Sequence, residues 1–191
     1  MAGTEYKGKH VVVTGGGSGI GRALAQAFGD ESAQVTITDI NQQRIDRVLE
    51  ELRQQGVQAS GYRVDHSSEE ETRRFAEQLL SETATVDVVC ANAGVAEGSP
   101  IDIARMDDWR WCMDINVMGV AYTLRYFIPA MVERGSGAVV ITSSGAALVP
   151  GPGVTSYHAS KAAALSMGES LSVELAPKGI NVSVLCPGII K

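Results

Sequence analysis

The sequence predicts a doubly wound α/β domain built on a parallel sheet. Three observations carry this. Short β-rich runs, most of them largely apolar, alternate along the chain with segments whose apolar residues recur at helical spacing. The first run ends in a glycine cluster, Gly15-Gly16-Gly17-Ser18-Gly19-Ile20-Gly21. Connections between runs are short, with no repeat, linker or low-complexity segment.

A strand is expected over 10–13, followed by a helix with Ile20, Leu24 and Phe28 on one face. A second strand over 34–38 ends at Asp39. Ile45, Val48, Leu49 and Leu52 then mark a second helix face. A weaker third strand covers 57–64. Ser68-x-x-Glu71 has the form of a capping box, opening a helix with Phe75, Ala76 and Leu79 inward. A fourth strand covers 86–91. A long helix is expected over 107–133, with a kink at Pro129 near its end. The fifth and sixth strands cover 138–142 and 180–185. Between them lies a helix over 156–176, closed by Pro177 and Gly179. The doubly wound strand order 3-2-1-4-5-6 places ligands at the carboxyl ends of the strands.

Composition narrows the function classes. The 191 residues suit one domain, read as 1–191, and 45% hydrophobic with 20% charged residues is ordinary for a globular core. The net charge of −6, spread without like-charge blocks, argues against nucleic acid as a partner. Residues 1–9 are polar and carry no apolar leader, and no run of about 18 apolar residues suggests a membrane span. Cys90, Cys112 and Cys186 are odd in number and widely spaced, which indicates neither a disulfide framework nor a zinc site. His10, His66 and His158 lack metal-ligand spacing and read as bystanders, so no metal is expected. The expectation is a cytoplasmic protein with reduced thiols.

Chemistry concentrates at the strand ends. Glycines between the first strand and helix let the backbone approach a phosphate, and the helix N-terminus offers free N–H groups to it. The spacing Gly15-x-x-x-Gly19-x-Gly21 differs from the common G-x-G-x-x-G fingerprint. The alternative is a glycine turn with no ligand. Asp39 is placed to accept from the adenosine ribose hydroxyls and to repel a 2′-phosphate. No Arg or Lys lies in the glycine turn and Ile40 follows Asp39, so NAD is favoured over NADP. Asp39 could instead be a solvated loop residue, with Asn41 capping the next helix.

Tyr157-His158-Ala159-Ser160-Lys161 sets Tyr157 and Lys161 one turn apart on a helix. A free phenol ionises near pH ~10 and is a poor base at neutrality. A nearby ammonium favours the phenolate, which suits a general acid/base. Ser144, just past the fifth strand, offers a hydroxyl to a substrate oxygen; Ser143 is the alternative at that position. Taken alone, a Tyr–Lys pair is more often accidental than catalytic.

Thr14-Gly-x-x-x-Gly-x-Gly21, Asn92-Ala93-Gly94, Ser144, Tyr157-x-x-x-Lys161 and Pro187-Gly188 together resemble the short-chain dehydrogenase/reductase family, with every motif in order along the chain. The resemblance implies a Rossmann fold and oxidoreductase chemistry on a secondary alcohol and a ketone. It implies Tyr157 as acid/base, Ser144 as holder of the substrate oxygen, and Lys161 as binder of the nicotinamide ribose and tuner of Tyr157. Asn116 matches an asparagine in a water-linked proton relay through Lys161; a buried, satisfied amide is the alternative. Asp65 matches an adenine contact, or else caps the helix that follows. Asn92, Ala93 and Gly94 match the segment beside the cofactor ribose. Gly15, Gly17, Ser18, Gly19, Ile20 and Gly21, with Pro187 and Gly188, match the pyrophosphate–nicotinamide path.

The sequence departs from the family after Gly188. Members usually continue into a substrate lid and a seventh strand, so the domain is read as incomplete at its C-terminus; were the chain to end there, the edge beside the sixth strand would be exposed. The resemblance also implies a homodimer or homotetramer through the helices over 107–133 and 156–176. Trp109, Met113, Met118 and Leu165 are candidates for that surface, or else face the sheet. The pocket segments over 95–100 and 145–155 are neither basic nor rich in carboxylate, which is compatible with small or largely apolar alcohols. An epimerase or dehydratase using the same cofactor, and a non-catalytic NAD-binding subunit or redox sensor, are the competing functions.

Overall fold

The computed structural model describes residues 6–96, 98–149 and 151–188. The expectations drawn on residues 1–5 and on the end at 189–191 lie outside the described residues. So do positions 97 and 150 of the two pocket segments. Six parallel strands form one sheet: β1 (His10–Thr14), β2 (Gln34–Asp39), β3 (Ala59–Arg63), β4 (Val88–Ala91), β5 (Gly137–Thr142) and β6 (Ile180–Leu185). Their spatial order is β3-β2-β1-β4-β5-β6, the doubly wound order expected. Among the described residues β6 pairs with β5 alone, so its outer edge is free of a strand.

Helices α1 (Gly19–Asp30) and α2 (Gln42–Gln54) cover one face; α3 (Glu69–Glu82), α4 (Met106–Met113), α5 (Gly119–Arg134) and α6 (Thr155–Leu175) lie on the other. All five residues of β1 are buried because the strand is covered on both sides. Val11 and Val13 join the core beneath α1 and α2, while Val12 joins Phe75, Leu124 and Phe127 beneath α3 and α5. Phe75 stands edge-on to Phe127 at 5.8 Å and tilted against Tyr62 at 5.2 Å, which fixes α3 against α5.

Three local differences from the sequence expectation have physical causes. The third strand starts at Ala59 rather than 57, because pairing with β2 begins at Val35↔Ala59. The capping box is half made: Ser68 Oγ accepts from Glu71 N at 3.2 Å, but the Glu71 carboxylate accepts from Asp65 N at 3.0 Å. The helix expected over 107–133 is interrupted by a π turn, Asp114–Met118, between α4 and α5. At Pro129 the helix runs on to Arg134; Pro129 and Arg125 face solvent, where water can serve the carbonyl that proline leaves unpaired.

The stretch Met106–Arg134 is long and apolar enough to cross a membrane by length and composition, contrary to the sequence reading. Here its apolar side is spent on the core, with Leu124, Phe127 and Met131 almost wholly buried.

Candidate active site

The carboxyl ends of all six strands open on one cavity of about 520 Å³. It lies over the switch point between β1 and β4, where the chain leaves the sheet centre in opposite directions.

One end is built by the glycine turn. Gly15 has φ +65°, and a Cβ there would lie 2.9 Å from Ala93 Cα. A Cβ on Gly21 would strike the Gly15 carbonyl oxygen and come within 2.6 Å of Asn92 Nδ2. Glycine at both positions lets the turn fold flat against the β4 loop. Ser18 occupies the N-cap of α1, yet its hydroxyl makes no capping bond, and the first turn holds no acidic residue. Helices α2 and α3, by contrast, are capped by Asn41 and Ser68. The N–H groups of the α1 first turn therefore remain available to an anion.

Asp39, 7% exposed at the end of β2, lines the same end. Its carboxylate accepts from Gly17 N at 3.2 Å and Asn41 N at 2.9 Å. Asn41 does cap α2, accepting from Arg44 N at 3.1 Å. Both sequence readings of this corner thus describe part of it. Asp65 also lines the cavity, with Oδ1 accepting from Ser67 N at 2.9 Å and Ser67 Oγ at 2.7 Å.

Asn92 is a strand-end tie. Its Nδ2 donates to Thr14 O at 2.9 Å, its Oδ1 accepts from Thr142 Oγ1 at 3.0 Å, and the backbone N–H groups of Asn92 and Ala93 both donate to Thr14 Oγ1. The tips of β1, β4 and β5 are so held in one plane beneath the cavity.

At the other end stand Ser144, Tyr157 and Lys161, with Pro187 and Gly188 opposite. Ser144 Oγ accepts from Ala146 N at 3.1 Å, which leaves its proton free to donate. Ser143 differs: its buried hydroxyl donates to the Lys161 carbonyl at 2.7 Å. Lys161 Nζ donates to Thr142 O at 3.0 Å and sits 5.8 Å from the centre of the Tyr157 ring. Burial lowers its pKa to about 8.

Gly94, Asn116 and Lys161 meet behind this end; a Cβ on Gly94 would lie 3.0 Å from both Asn116 Oδ1 and Lys161 Nζ. Asn116 is wholly buried in the π turn. It accepts from Val95 N and donates to Val95 O, each at 2.8 Å. Gly17 and Asn116, alone among the predicted site residues, are set back from the cavity wall.

Two ionisable wall residues were not among the site residues expected from the sequence. Arg44, on the first turn of α2, shares the wall with Asp39 and Ile40. His66, read as a bystander, is buried; Nε2 lies 2.7 Å from Thr38 Oγ1 and Nδ1 lies 3.2 Å from Thr72 Oγ1. Burial lowers its pKa to about 4. Among the described residues no group of three His, Cys, Asp or Glu could hold a metal ion.

Comparison with known proteins agrees with this architecture. The chain matches the short chain dehydrogenase family over residues 9–191. It is 34% identical over 185 residues to dehydrogenase/reductase SDR family member 4 of Homo sapiens, covering 96% of this chain and 66% of that protein. It is 34% identical over 183 residues to 7alpha-hydroxysteroid dehydrogenase of Escherichia coli (strain K12), covering 96% and 71%. A short chain dehydrogenase/reductase from Burkholderia phymatum, solved in complex with NAD, superposes with a TM-score of 0.94 at 33% identity, covering 97% of this chain and 67% of that one. NAD+-bound xylitol dehydrogenase superposes with a TM-score of 0.93 at 29% identity, covering 96% and 71%. The chain belongs to the short-chain dehydrogenase/reductase family, and it spans 66% of the length of the SDR family member 4 relatives it matches.

Proposed function

We propose that this chain binds NAD(H) across the cavity and interconverts a secondary alcohol and a ketone, with Tyr157 carrying the proton. The observation that carries this reading is the shared cavity: Ser144, Tyr157 and Lys161 at one end, and the glycine turn with Asp39 at the other. The cradle suits a dinucleotide. The open first turn of α1 would hold a pyrophosphate, Asp39 would accept from the adenosine ribose, and Asp65 would border the adenine. NAD, when bound, supplies the hydride acceptor and in reduced form the donor.

Ser144 Oγ orients the substrate oxygen with the proton that its backbone contact leaves free. Tyr157 takes the hydroxyl proton at its phenolic oxygen during oxidation and returns it during reduction. The Lys161 ammonium favours the phenolate by its charge and is aimed by Thr142 O. Asn116 and Gly94 border Lys161 from behind. Ser143 is less suited to the substrate role, because its hydroxyl is spent on Lys161 O.

Val95, Ala96, Ile115 and Pro187 line the catalytic end and favour a neutral, largely apolar substrate. Trp111 and Met118, exposed on α4 and the π turn, support a homodimer or homotetramer through this region, and three free thiols suit a cytoplasmic setting. A spectrophotometric NADH assay over a panel of alcohols and ketones tests the reading. Turnover lost in Tyr157→Phe with NADH binding retained is expected; NADH binding without turnover on any panel member would favour a non-catalytic subunit.

A further inference from the structure

Sequence spacing assigned cofactor choice to Asp39, because no cation lies in the glycine turn and Ile40 follows. Folding brings a cation there from elsewhere. Arg44 stands on the first turn of α2 and lines the adenosine end of the cavity beside Asp39 and Ile40. Its placement is fixed from two sides. Its backbone N–H is held by Asn41 Oδ1 at 3.1 Å. Its Cβ lies against Gly17, where an added Cβ would come within 2.8 Å of Arg44 Cβ and 2.6 Å of Asp39 Oδ2. The glycine-turn backbone is thus wedged between the Asp39 carboxylate and the Arg44 stem.

The guanidinium itself has no ion-pair or hydrogen-bond partner among the described residues. It makes no ion pair with Asp39, whose carboxylate instead accepts from Gly17 N and Asn41 N. The charged groups on the cavity wall are Asp39, Asp65, Arg44 and Lys161, and Lys161 lies at the catalytic end. Arg44 is therefore the cation of the adenosine end. A guanidinium matches a phosphate in charge and fork geometry.

We propose that Arg44 is a second cofactor-discriminating residue that opposes Asp39. It offers an anchor to a 2′-phosphate on the adenosine ribose, so that preference for NAD(H) over NADP(H) is a balance of two side chains rather than an exclusion by one. The inference rests on the dinucleotide reading above. Removing the carboxylate alone then opens the site to the phosphorylated cofactor, with no cation added by mutation.

Isothermal titration with 2′,5′-ADP and 5′-ADP tests this directly, with NADH as the reference ligand. The proteins are the wild type, Arg44→Met, Arg44→Lys, Asp39→Ser and Asp39→Ser/Arg44→Met. Methionine keeps the stem that packs on Gly17, and lysine keeps the charge. Asp39→Ser is expected to raise the 2′,5′-ADP to 5′-ADP affinity ratio by tenfold or more. Arg44→Met is expected to lower that ratio about tenfold in either background, the scale of one charge-assisted bond, and Arg44→Lys to restore much of it. An equal ratio with and without Arg44 in the Asp39→Ser background would overturn the proposal while leaving NADH binding intact. Failure of the wild type to bind NADH and 5′-ADP would overturn the dinucleotide reading and this inference with it.

Discussion

Asn116 Nδ2 donates to Ser160 Oγ at 2.9 Å, joining the π turn to the helix that carries Tyr157 and Lys161. Ser160 Oγ in turn donates to the Tyr157 carbonyl at 2.8 Å. With the paired bonds from Asn116 to Val95, three segments of chain meet at one buried amide. The π turn is held by this tertiary clamp, and π turns inside α-helices recur at functional sites.

Ser160→Ala should therefore loosen the site more than it weakens the fold. It removes one buried acceptor, at a cost of about 1 kcal/mol in stability. Turnover should fall about tenfold, since displacements of about 1 Å in catalytic groups are costly. Urea melts and kcat measured together check this, and an unchanged kcat would show that the clamp does not position Tyr157.

Tyr157→Phe should lower kcat by about 10²–10⁴-fold, the range for a lost general acid/base. NADH affinity should stay within about threefold, because in the proposed mechanism the phenol oxygen serves the substrate proton and not the cofactor. Fluorescence titration beside the assay separates the two effects. Loss of NADH binding in a folded variant would contradict the assigned role.

Lys161→Met should be more stable and less active. Burial lowers the Lys161 pKa from 10.5 to about 8, so the unfolded chain holds this proton more tightly than the folded one. At neutral pH the folded protein carries a buried ammonium that opposes folding by about 3 kcal/mol, a penalty that fades as pH rises from 8 towards 10.5. Losing the bond to Thr142 O offsets part of the gain, leaving about 1–2 kcal/mol. Thermal melts should show the rise and an NADH assay the loss; a lower melting temperature would refute the burial argument.

His66 should make the fold acid-sensitive. Its imidazole, buried among Thr38 and Thr72, is lowered from 6.5 to about 4. Between these pH values the unfolded chain takes up a proton that the folded chain refuses, so stability falls as pH drops. The span corresponds to about 3 kcal/mol. Urea melts at stepped pH should give a shallower acid loss in His66→Gln than in the wild type. Parallel curves for the two proteins would remove His66 from the account.

Much of the fold was legible because its signals are local. Apolar β1, the glycines after it and Asp39 at the end of β2 follow from residue type and spacing alone. The pairing of Tyr157 with Lys161 needs only one helical turn. What escaped depends on contacts distant in sequence. The π turn at Asp114–Met118 is fixed by Asn116 gripping Val95, whereas Pro129, the visible helix-breaking signal, sits where solvent accommodates it. The hub at His66 draws Thr38 from β2 and Thr72 from α3, which no spacing rule connects. Arg44 enters the cavity wall because Asn41 and Gly17 aim the start of α2.

The three thiols lie at different depths. Cys186 is partly exposed, while Cys90 and Cys112 are buried, and the Cys112 sulfur lies 3.4 Å from Asn116 Nδ2 and 3.6 Å from Ser160 Oγ. A thiol reagent can reach Cys112 only when the clamp parts, so its labelling rate becomes a clock for opening of the catalytic end. Cys90, with its thiol pKa pushed up to about 12 by burial in the central sheet, keeps the slower time of deeper unfolding. The molecule thus carries its own stopwatch, with separate hands for the surface, the site and the core.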